Sequence, residues 1–371
     1  MFLNVKTPET YITENKILAK AGKYISEYGR NPLIITGKTA FEAVKDNLLT
    51  SLKESGINHA KSNIEFFEGY PSQRQFNIYA KKALEIEADV IIGIGGGRVL
   101  DTAKAVGDIL NLPVTAIPTV GATCAAWAAV TIQYDDEGGF VDFRLNKHSA
   151  KLVLADPEVI LKAPVRYLHS GVVDTFAKFY EIRPVNQANP ENIPFDVALY
   201  ASKIAFDKLN EITFAAEKEA EQNIFSQNAK DVIDSIIYIA GFAGSLKTEL
   251  SQYSFAHPFY HSATRIHSTH QKLHGEIVAT GIITQLVLEH KTNEEILESV
   301  KYFSTFDDLF SLSDLGLGQT DEEILESVEF LSKDIKKSFG TPWSSEEIKS
   351  ALLEADKIIK TAKKIRVGRG S

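Results

Sequence analysis

The chain has 371 residues, of which 44% are hydrophobic and 24% charged, and its formal net charge is −9. This length predicts about two domains, and an acidic chain without a basic stripe argues against a nucleic-acid partner. The single cysteine, Cys124, excludes a disulfide within the chain and favours a reducing compartment. The sequence has no signal-peptide pattern and no apolar run of about 20 residues, so we expect a cytoplasmic protein with no membrane partner.

The first part of the chain alternates short β-branched runs with helical segments. The predicted strands cover residues 31–36, 63–67, 89–93, 114–118 and 129–134. The run DVIIG at 89–93 is typical of a parallel strand that is buried on both faces. Predicted helices start near Thr39 and cover 73–87 and 99–110. This alternation predicts an α/β domain with right-handed crossovers.

Helical periodicity dominates from about residue 163 onward. The predicted helices are Gly171–Arg183, Pro194–Leu209, Ala229–Leu246, Glu276–His290, Asn293–Phe303, Asp321–Lys337 and Ser344–Lys364. The sequence therefore predicts an α/β domain at residues 1–162, an all-α domain at 163–371, and a cleft between them.

A turn of three glycines follows the buried strand and precedes a helix. Gly95, Gly96 and Gly97 would let a phosphate approach the backbone and the free N–H groups of the helix. An ordinary tight turn is the alternative, and the motif is not GxGxxG. Asp101 and Lys104 follow in the first two helical turns, where an exposed ion pair is the usual interpretation, but their place at a glycine-lined mouth favours a ligand role.

Five of the nine histidines lie between Ala256 and Glu276. Neutral imidazole is a common ligand of catalytic divalent metals, and histidines four residues apart share one face of a helix. Two pairs have this spacing, His257 with His261 and His270 with His274. The stretch lacks the HExxH pattern, so we expect another ligand from elsewhere in the chain.

The chain resembles the glycerol dehydrogenase branch of the iron-containing type of alcohol dehydrogenases. The resemblance rests on GGGRVLDTAK at 95–104, PVTAIPTVGAT at 113–123, SGVVDTFAKFYE around Asp174, and HGE at 274–276, in matching order and near-matching spacing. It implies the dehydroquinate synthase-like fold, in which an α/β dinucleotide-binding domain and an all-α domain enclose a catalytic divalent metal. It also implies a homo-oligomer acting on a small molecule.

The resemblance implies that Asp174, His257 and His274 are the metal ligands. One carboxylate and two imidazoles leave an open position where substrate can bind. Iron-binding members have a fourth ligand, a histidine, where this chain has Lys178, so zinc suits the site better than iron, although other divalent ions remain open. His270 is a candidate to deliver the proton during catalysis.

The resemblance also implies residues that bind a nicotinamide coenzyme. These are Gly97, Arg98 and Asp101 near the pyrophosphate, next to Gly95 and Gly96 of the glycine turn, and Thr119, Ala122, Thr123, Ala128, Val130 and Tyr134 near the nicotinamide. Where NAD-using members have an aspartate for the ribose hydroxyls, this chain has Gly37 followed by Lys38. A cation in place of an anion favours NADP over NAD. The alternative is that Lys38 is a solvated loop lysine.

The expected substrate follows from positions at which this chain differs from glycerol dehydrogenases. Cys124 replaces an aspartate that holds the polyol in glycerol dehydrogenases, and Lys178 could pair with a substrate carboxylate. These residues resemble the hydroxycarboxylate dehydrogenase branch, which reduces 2-oxo acids. His261 alters the pocket wall, and glycerol dehydrogenase is the alternative within the family. A dehydroquinate synthase-like lyase and a non-catalytic nucleotide-binding protein are the alternatives of other classes.

Overall fold

The computed structural model describes residues 4–246, 254–306 and 309–367. A six-stranded parallel sheet lies in the first part of the chain, with the strand order β1-β8-β5-β4-β2-β3. Its strands are β1 (Thr10–Thr13), β2 (Pro32–Thr36), β3 (Ile64–Phe66), β4 (Val90–Gly95), β5 (Val114–Pro118) and β8 (Leu152–Ala155). An antiparallel pair, β6 (Val130–Tyr134) with β7 (Phe140–Leu145), lies outside this sheet.

Four helices connect the central strands, and a second group follows the sheet. The first group is α1 (Ala21–Ile25), α2 (Lys38–Glu54), α3 (Gln73–Glu85) and α4 (Gly97–Leu110). The second group is α5 (Pro157–Leu161), α6 (Val165–Ala188), α7 (Ile193–Glu221), α8 (Gln227–Asp234), α9 (Ala240–Ser245), α10 (Ala256–Ala263), α11 (His274–Leu288), α12 (Asn293–Thr305), α13 (Asp321–Phe339) and α14 (Ser345–Val367). Short 3-10 turns cover Ile17–Lys20, Lys61–Asn63 and His267–Gln271, and a π turn covers Ser235–Ile239.

The predicted architecture is confirmed. All residues of β2, β4 and β5 are buried, as expected for central parallel strands covered by helices on both faces. The structure adds strands β1, β7 and β8, which the sequence analysis did not predict. Beyond β8 the regular elements of the described residues are helical, and the proposed boundary at 162/163 falls between α5 and α6.

The carboxyl ends of β2, β4 and β5 meet at one edge of the sheet, where ligands of open α/β sheets bind. One buried hydrophobic cluster joins this sheet to the helical part, with Ile91 and Ala103 on one side and Phe176 and Ile283 on the other. The two parts therefore enclose a common cleft. Within the described ranges, no helix has the length and apolar character that crossing a membrane requires.

Candidate metal and coenzyme site

The candidate site is built on α6, most of which is buried. Asp174 lies near the middle of this helix and is only 2% exposed. α6 packs directly on the loop after β5 because Gly171 has no side chain: a Cβ atom there would lie 1.8 Å from the carbonyl oxygen of Gly121. This close approach brings Asp174 to the carboxyl edge of the sheet.

Two histidines reach Asp174 from the first turns of two other helices. His257 is the second residue of α10, and His274 is the first residue of α11. The N–H of Gly275 donates to Ser170 Oγ at 2.9 Å, which holds the start of α11 against α6. As a result, His257 Nε2 lies 3.0 Å and His274 Nε2 lies 3.2 Å from Asp174 Oδ1.

A carboxylate that the sequence analysis did not single out orients His257. Glu181 accepts a hydrogen bond from the backbone N–H of His257 at 2.9 Å and pairs with its Nδ1. Because this contact keeps the proton on Nδ1, the Nε2 lone pair faces Asp174. Glu181 follows Asp174 by seven residues, two helical turns, and this spacing was the signal available in the sequence.

The donor set formed by Asp174, His257 and His274 fits a divalent cation. One ligand atom from each residue lies within 4.8 Å of the others. Bonds of about 2.0–2.1 Å in a tetrahedral site place neighbouring donors about 3.3 Å apart, close to the observed 3.0 and 3.2 Å. Carboxylate and imidazole ligands suit zinc and ferrous iron alike.

The protonation states also favour cation binding. Burial would raise the pKa of Asp174, but Lys178 and the two imidazoles outweigh it and hold this pKa well below its usual range. Burial lowers the pKa of His274, against the opposing attraction of Asp174. At neutral pH the cluster therefore presents an ionised carboxylate and a neutral imidazole, the forms that coordinate metals.

Lys178 points into the same cluster from one turn further along α6. Its Nζ lies 2.8 Å from Asp174 Oδ1 and 2.8 Å from His257 Nε2, and the residue is buried. Burial would lower the pKa of Lys178, but the charge of Asp174, its hydrogen bond and the charge of Glu181 act together against burial, and this pKa lies above its usual value. A permanent positive charge therefore stands beside the candidate metal ligands.

One continuous cleft of about 1930 Å³ runs from the sheet edge to this cluster. The predicted coenzyme residues all line it: Gly37, Lys38, Gly95, Gly96, Gly97, Arg98, Asp101, Thr119, Ala122, Thr123, Ala128, Val130 and Tyr134. Asp174, His257 and His274 line it as well, as do Cys124, Lys178 and His261. The fold thus brings residues from both halves of the chain to one cavity.

The glycine turn lies where β4 ends and α4 begins. Gly95 has φ +156°, and a Cβ atom there would lie 3.0 Å from the side chain of Val99. Gly96 precedes the first helical residue, so free N–H groups of α4 face the cleft where a phosphate would bind. The Arg98 guanidinium lies 4.2 Å above the ring of Tyr70, which fixes a positive charge beside this turn.

Asp101, which was expected to contact the pyrophosphate, forms its contacts with other groups of the protein. It is buried; its Oδ1 lies 2.9 Å from Lys104 Nζ, and its Oδ2 accepts from the N–H of Ile132. Lys104 also donates to the carbonyl oxygens of Ala125, Ala128 and Val130 at 2.7–2.8 Å. These contacts tie Asp101 to the loop at residues 125–132, and its contact with a pyrophosphate stays a prediction.

Lys38 forms an ion pair with a residue that the sequence analysis did not consider. Its Nζ lies 2.8 Å from Glu68 Oε1, and both side chains are exposed at the cleft. Lys38 is the first residue of α2, and Gly37 before it offers no side chain. At this part of the cleft wall an ion pair of Lys38 with Glu68 stands where the resemblance implies a single carboxylate in NAD-using members.

Only one of the two histidine pairs with a spacing of four lies on a single helix. His257 and His261 share α10, whereas His270 lies in the 3-10 turn and His274 starts α11, so this second pair does not share a helix face. His270 Nε2 lies 2.7 Å from the carbonyl oxygen of Thr264, and its Nδ1 lies 3.3 Å from Tyr70 Oη. His270 is absent from the described cleft lining, and this position argues against the expected proton delivery.

Two tyrosine hydroxyls lie on the cleft wall instead. Tyr260 Oη is 3.0 Å from Tyr134 Oη, and the Tyr260 ring centroid lies 4.1 Å from that of His274. Burial raises the pKa of both hydroxyls, so both remain protonated at neutral pH. His261 is buried nearby against Phe140, with ring centroids 4.4 Å apart, and so forms part of the wall.

The chain is similar in sequence to an alcohol dehydrogenase family and to known dehydrogenases and reductases. The sequence profile of "Iron-containing alcohol dehydrogenase" matches residues 8–157. Hydroxycarboxylate dehydrogenase A of Escherichia coli (strain K12) is 35% identical over 257 residues, which are 68% of this chain and 69% of that protein. Glycolaldehyde reductase of Halobacterium salinarum is 27% identical over 316 residues, 84% of this chain and 85% of that protein.

The chain belongs to the iron-containing alcohol dehydrogenase family. The crystal structure of glycerol dehydrogenase from Schizosaccharomyces pombe shares the fold, with a TM-score of 0.86 and 20% identity over 98% of this chain and 93% of that one. The protein is thus an oxidoreductase of a family that uses a nicotinamide coenzyme and a bound metal, and it acts on small molecules.

Proposed function

We propose that the protein interconverts small 2-oxo acids and 2-hydroxy acids, with NADP(H) preferred over NAD(H) and a divalent cation held by Asp174, His257 and His274. The observation that carries the substrate class is the buried ammonium of Lys178 at the end of the cleft. A buried cation next to the cluster offers a carboxylate a charge-assisted hydrogen bond that a neutral polyol cannot use as fully.

The neutral state of Cys124 supports the same substrate class. Burial raises the pKa of its thiol, so the position that holds an aspartate in glycerol dehydrogenases carries no charge at neutral pH. A substrate carboxylate would therefore meet no like charge there. Hydroxycarboxylate dehydrogenase A is a relative with such a substrate class in its name.

In the proposed reaction the bound metal and coenzyme and the side chains of the protein have different tasks. Asp174, His257 and His274 would hold a cation that would supply Lewis acidity, and the cleft at the glycine turn would hold a nicotinamide coenzyme that would carry the hydride. Lys178 orients the substrate through its carboxylate, and Glu181 keeps His257 in the tautomer that leaves Nε2 free to coordinate. The hydroxyls of Tyr260 and Tyr134 are hydrogen-bonded to each other on the cleft wall beside His274 and are placed, in preference to His270, to relay a proton to the product oxygen.

The coenzyme preference rests on Gly37 and Lys38. The ion pair of Lys38 with Glu68 is exposed and therefore weak, so a 2′-phosphate can take over the lysine at small cost. Without a carboxylate at position 37, the ribose hydroxyls of NAD have lost the partner that the family usually supplies.

We also propose that the protein assembles as a homo-oligomer. Ile193, Tyr200 and Ile204 are 73%, 72% and 59% exposed and recur at helical spacing on α7. An exposed apolar stripe of this kind is typical of an interface. Sedimentation analysis of the wild-type protein and of Tyr200→Glu tests it, because a charge in an interface should shift the equilibrium toward smaller species.

A substrate panel tests the proposed reaction. The protein should oxidise NADPH faster than NADH, and faster with 2-oxobutyrate or 2-oxoglutarate than with dihydroxyacetone, and a chelator should abolish the turnover. Lys178→Met should raise KM for the 2-oxo acid far more than KM for dihydroxyacetone. Faster turnover of dihydroxyacetone with NADH would instead identify a glycerol dehydrogenase.

A further inference from the structure

Lys178 uses the same two atoms that a metal ion would use. Its Nζ lies 2.8 Å from Asp174 Oδ1 and 2.8 Å from His257 Nε2, and these two atoms are 3.0 Å apart. Since Glu181 keeps the proton on Nδ1, His257 Nε2 offers a lone pair here, and the ammonium donates to it. The contact is therefore that of a cation held by a preformed donor pair.

The lysine ammonium and a metal ion cannot bind Asp174 Oδ1 and His257 Nε2 at the same time. A metal ion with bonds of about 2.0–2.1 Å to both atoms would lie at most about 3.8 Å from Nζ if the lysine kept its position. Two positive charges this close in a buried site repel each other strongly. His257 Nε2 also has one lone pair, which cannot serve an N–H donor and a metal at once.

We propose that Lys178 is a built-in competitor for the metal site, so that metal loading displaces its ammonium from Asp174 and His257 into the cleft. The displaced ammonium remains tethered one helical turn from Asp174 and faces the space beside Cys124, where the proposed substrate carboxylate would lie. Metal loading would thereby prepare the anion site as well as the metal site. The competition rests on the proposed metal ligands and does not depend on the substrate class, whereas the preparation of the anion site rests on the proposed function.

A direct consequence is that the lysine weakens metal binding. A hydrogen bond to a charged group must break before the metal enters, and such a bond corresponds to about a tenfold change in affinity or more. Lys178→Met removes the charge and keeps the length of the side chain. We therefore expect this variant to bind a divalent metal about tenfold to a hundredfold more tightly than the wild-type protein.

The experiment is a Co²⁺ titration of the full-length protein after removal of metals by a chelator. The visible absorption bands of bound Co²⁺ report coordination, and competition with a chelator gives the dissociation constant. Lys272→Met is the matched control, because Lys272 lines the same cleft but its Nζ lies over the ring of Phe310 at 4.5 Å. Lys178→Gln provides a second test if the methionine variant does not fold.

The outcomes separate the two proposals. Tighter Co²⁺ binding by Lys178→Met, with Lys272→Met within about twofold of the wild type, supports the competition. Equal or weaker binding by both Lys178 variants overturns it while leaving the metal site intact. Absence of the Co²⁺ bands from wild type and variants alike, or their persistence when Asp174→Asn is added to Lys178→Met, refutes the proposed metal ligands and the competition with them.

Discussion

Replacing Lys104 by methionine tests how the coenzyme side of the cleft is held. Lys104 is only 2% exposed. Its ammonium contacts four oxygens: Asp101 Oδ1 at 2.9 Å and three carbonyl oxygens of the loop at 2.7–2.8 Å. Removing one partner of a buried ion pair costs about 3–5 kcal/mol. Because Asp101 can take up a proton, which burial already favours by raising its pKa, we expect the lower end of this range.

The assay combines thermal unfolding with coenzyme kinetics. A loss of about 3 kcal/mol should lower Tm by roughly 4 °C in a chain of this size. KM for the coenzyme should rise more than KM for the substrate, since the freed carbonyls belong to the loop that lines the nicotinamide side. Lys81→Met, on the exposed face of α3, should change neither. The double variant Lys104→Met/Asp101→Asn should recover part of the stability because no buried anion is left unpaired. A Tm within about 2 °C of the wild type and an unchanged coenzyme KM would refute the assigned role.

Three further predictions concern the substrate end, the helix contact and the C-terminal helices. Cys124→Asp should lower kcat/KM for 2-oxobutyrate about a hundredfold relative to the neutral Cys124→Asn, and equal losses in the two variants would count against charge as the cause. Gly275→Ala would place a Cβ atom 2.2 Å from the backbone oxygen of Ser170, so bound metal and about 1–3 kcal/mol of stability should be lost. Gly244→Ala is the control in unfolding and metal analysis, because no atom of the described residues lies within 4 Å of the added Cβ atom. Hydrogen bonds from two lysines lower the pKa of Glu329 to about 2, so the stabilisation by the ionised Glu329 is present above pH 4.5 and is lost as the pH falls toward 2. The difference in urea midpoint between the wild type and Glu329→Gln should therefore narrow as the pH falls from 4.5 to 2. A difference that stays constant over this interval would contradict the stabilising role of Glu329.

The sequence was sufficient to predict the fold class and most of the cleft. The run at 89–93 is apolar throughout because β4 is buried on both faces, and the predicted glycine turn after it lines the cleft. Periodicity failed for β1, whose four residues are all half-buried and so show no alternation, and for β8, whose four residues are all buried and form only a short apolar run. It also failed for β7, whose residues are mostly exposed and belong to a pair outside the main sheet.

The candidate ligands could be predicted from the sequence, but their partners could not. Residue type and resemblance were enough to select Asp174, His257 and His274, whereas the contact of Glu181 with His257 joins helices whose residues are 76 positions apart. The same limit explains His270: spacing of four suggested a shared helix with His274, but the chain changes from a 3-10 turn to a new helix between them. Contacts between distant segments decide such details, and local patterns do not report them.

Anomalous diffraction from crystals grown with Zn²⁺ or Fe²⁺, recorded at the absorption edge of the metal, tests the central claim most directly. The account predicts one peak about 2.0–2.2 Å from Asp174 Oδ1, His257 Nε2 and His274 Nε2, with the Lys178 ammonium moved away from both Asp174 and His257. A peak held by other residues, or none in the cleft while Nζ remains 2.8 Å from Asp174 Oδ1 and His257 Nε2, would contradict it.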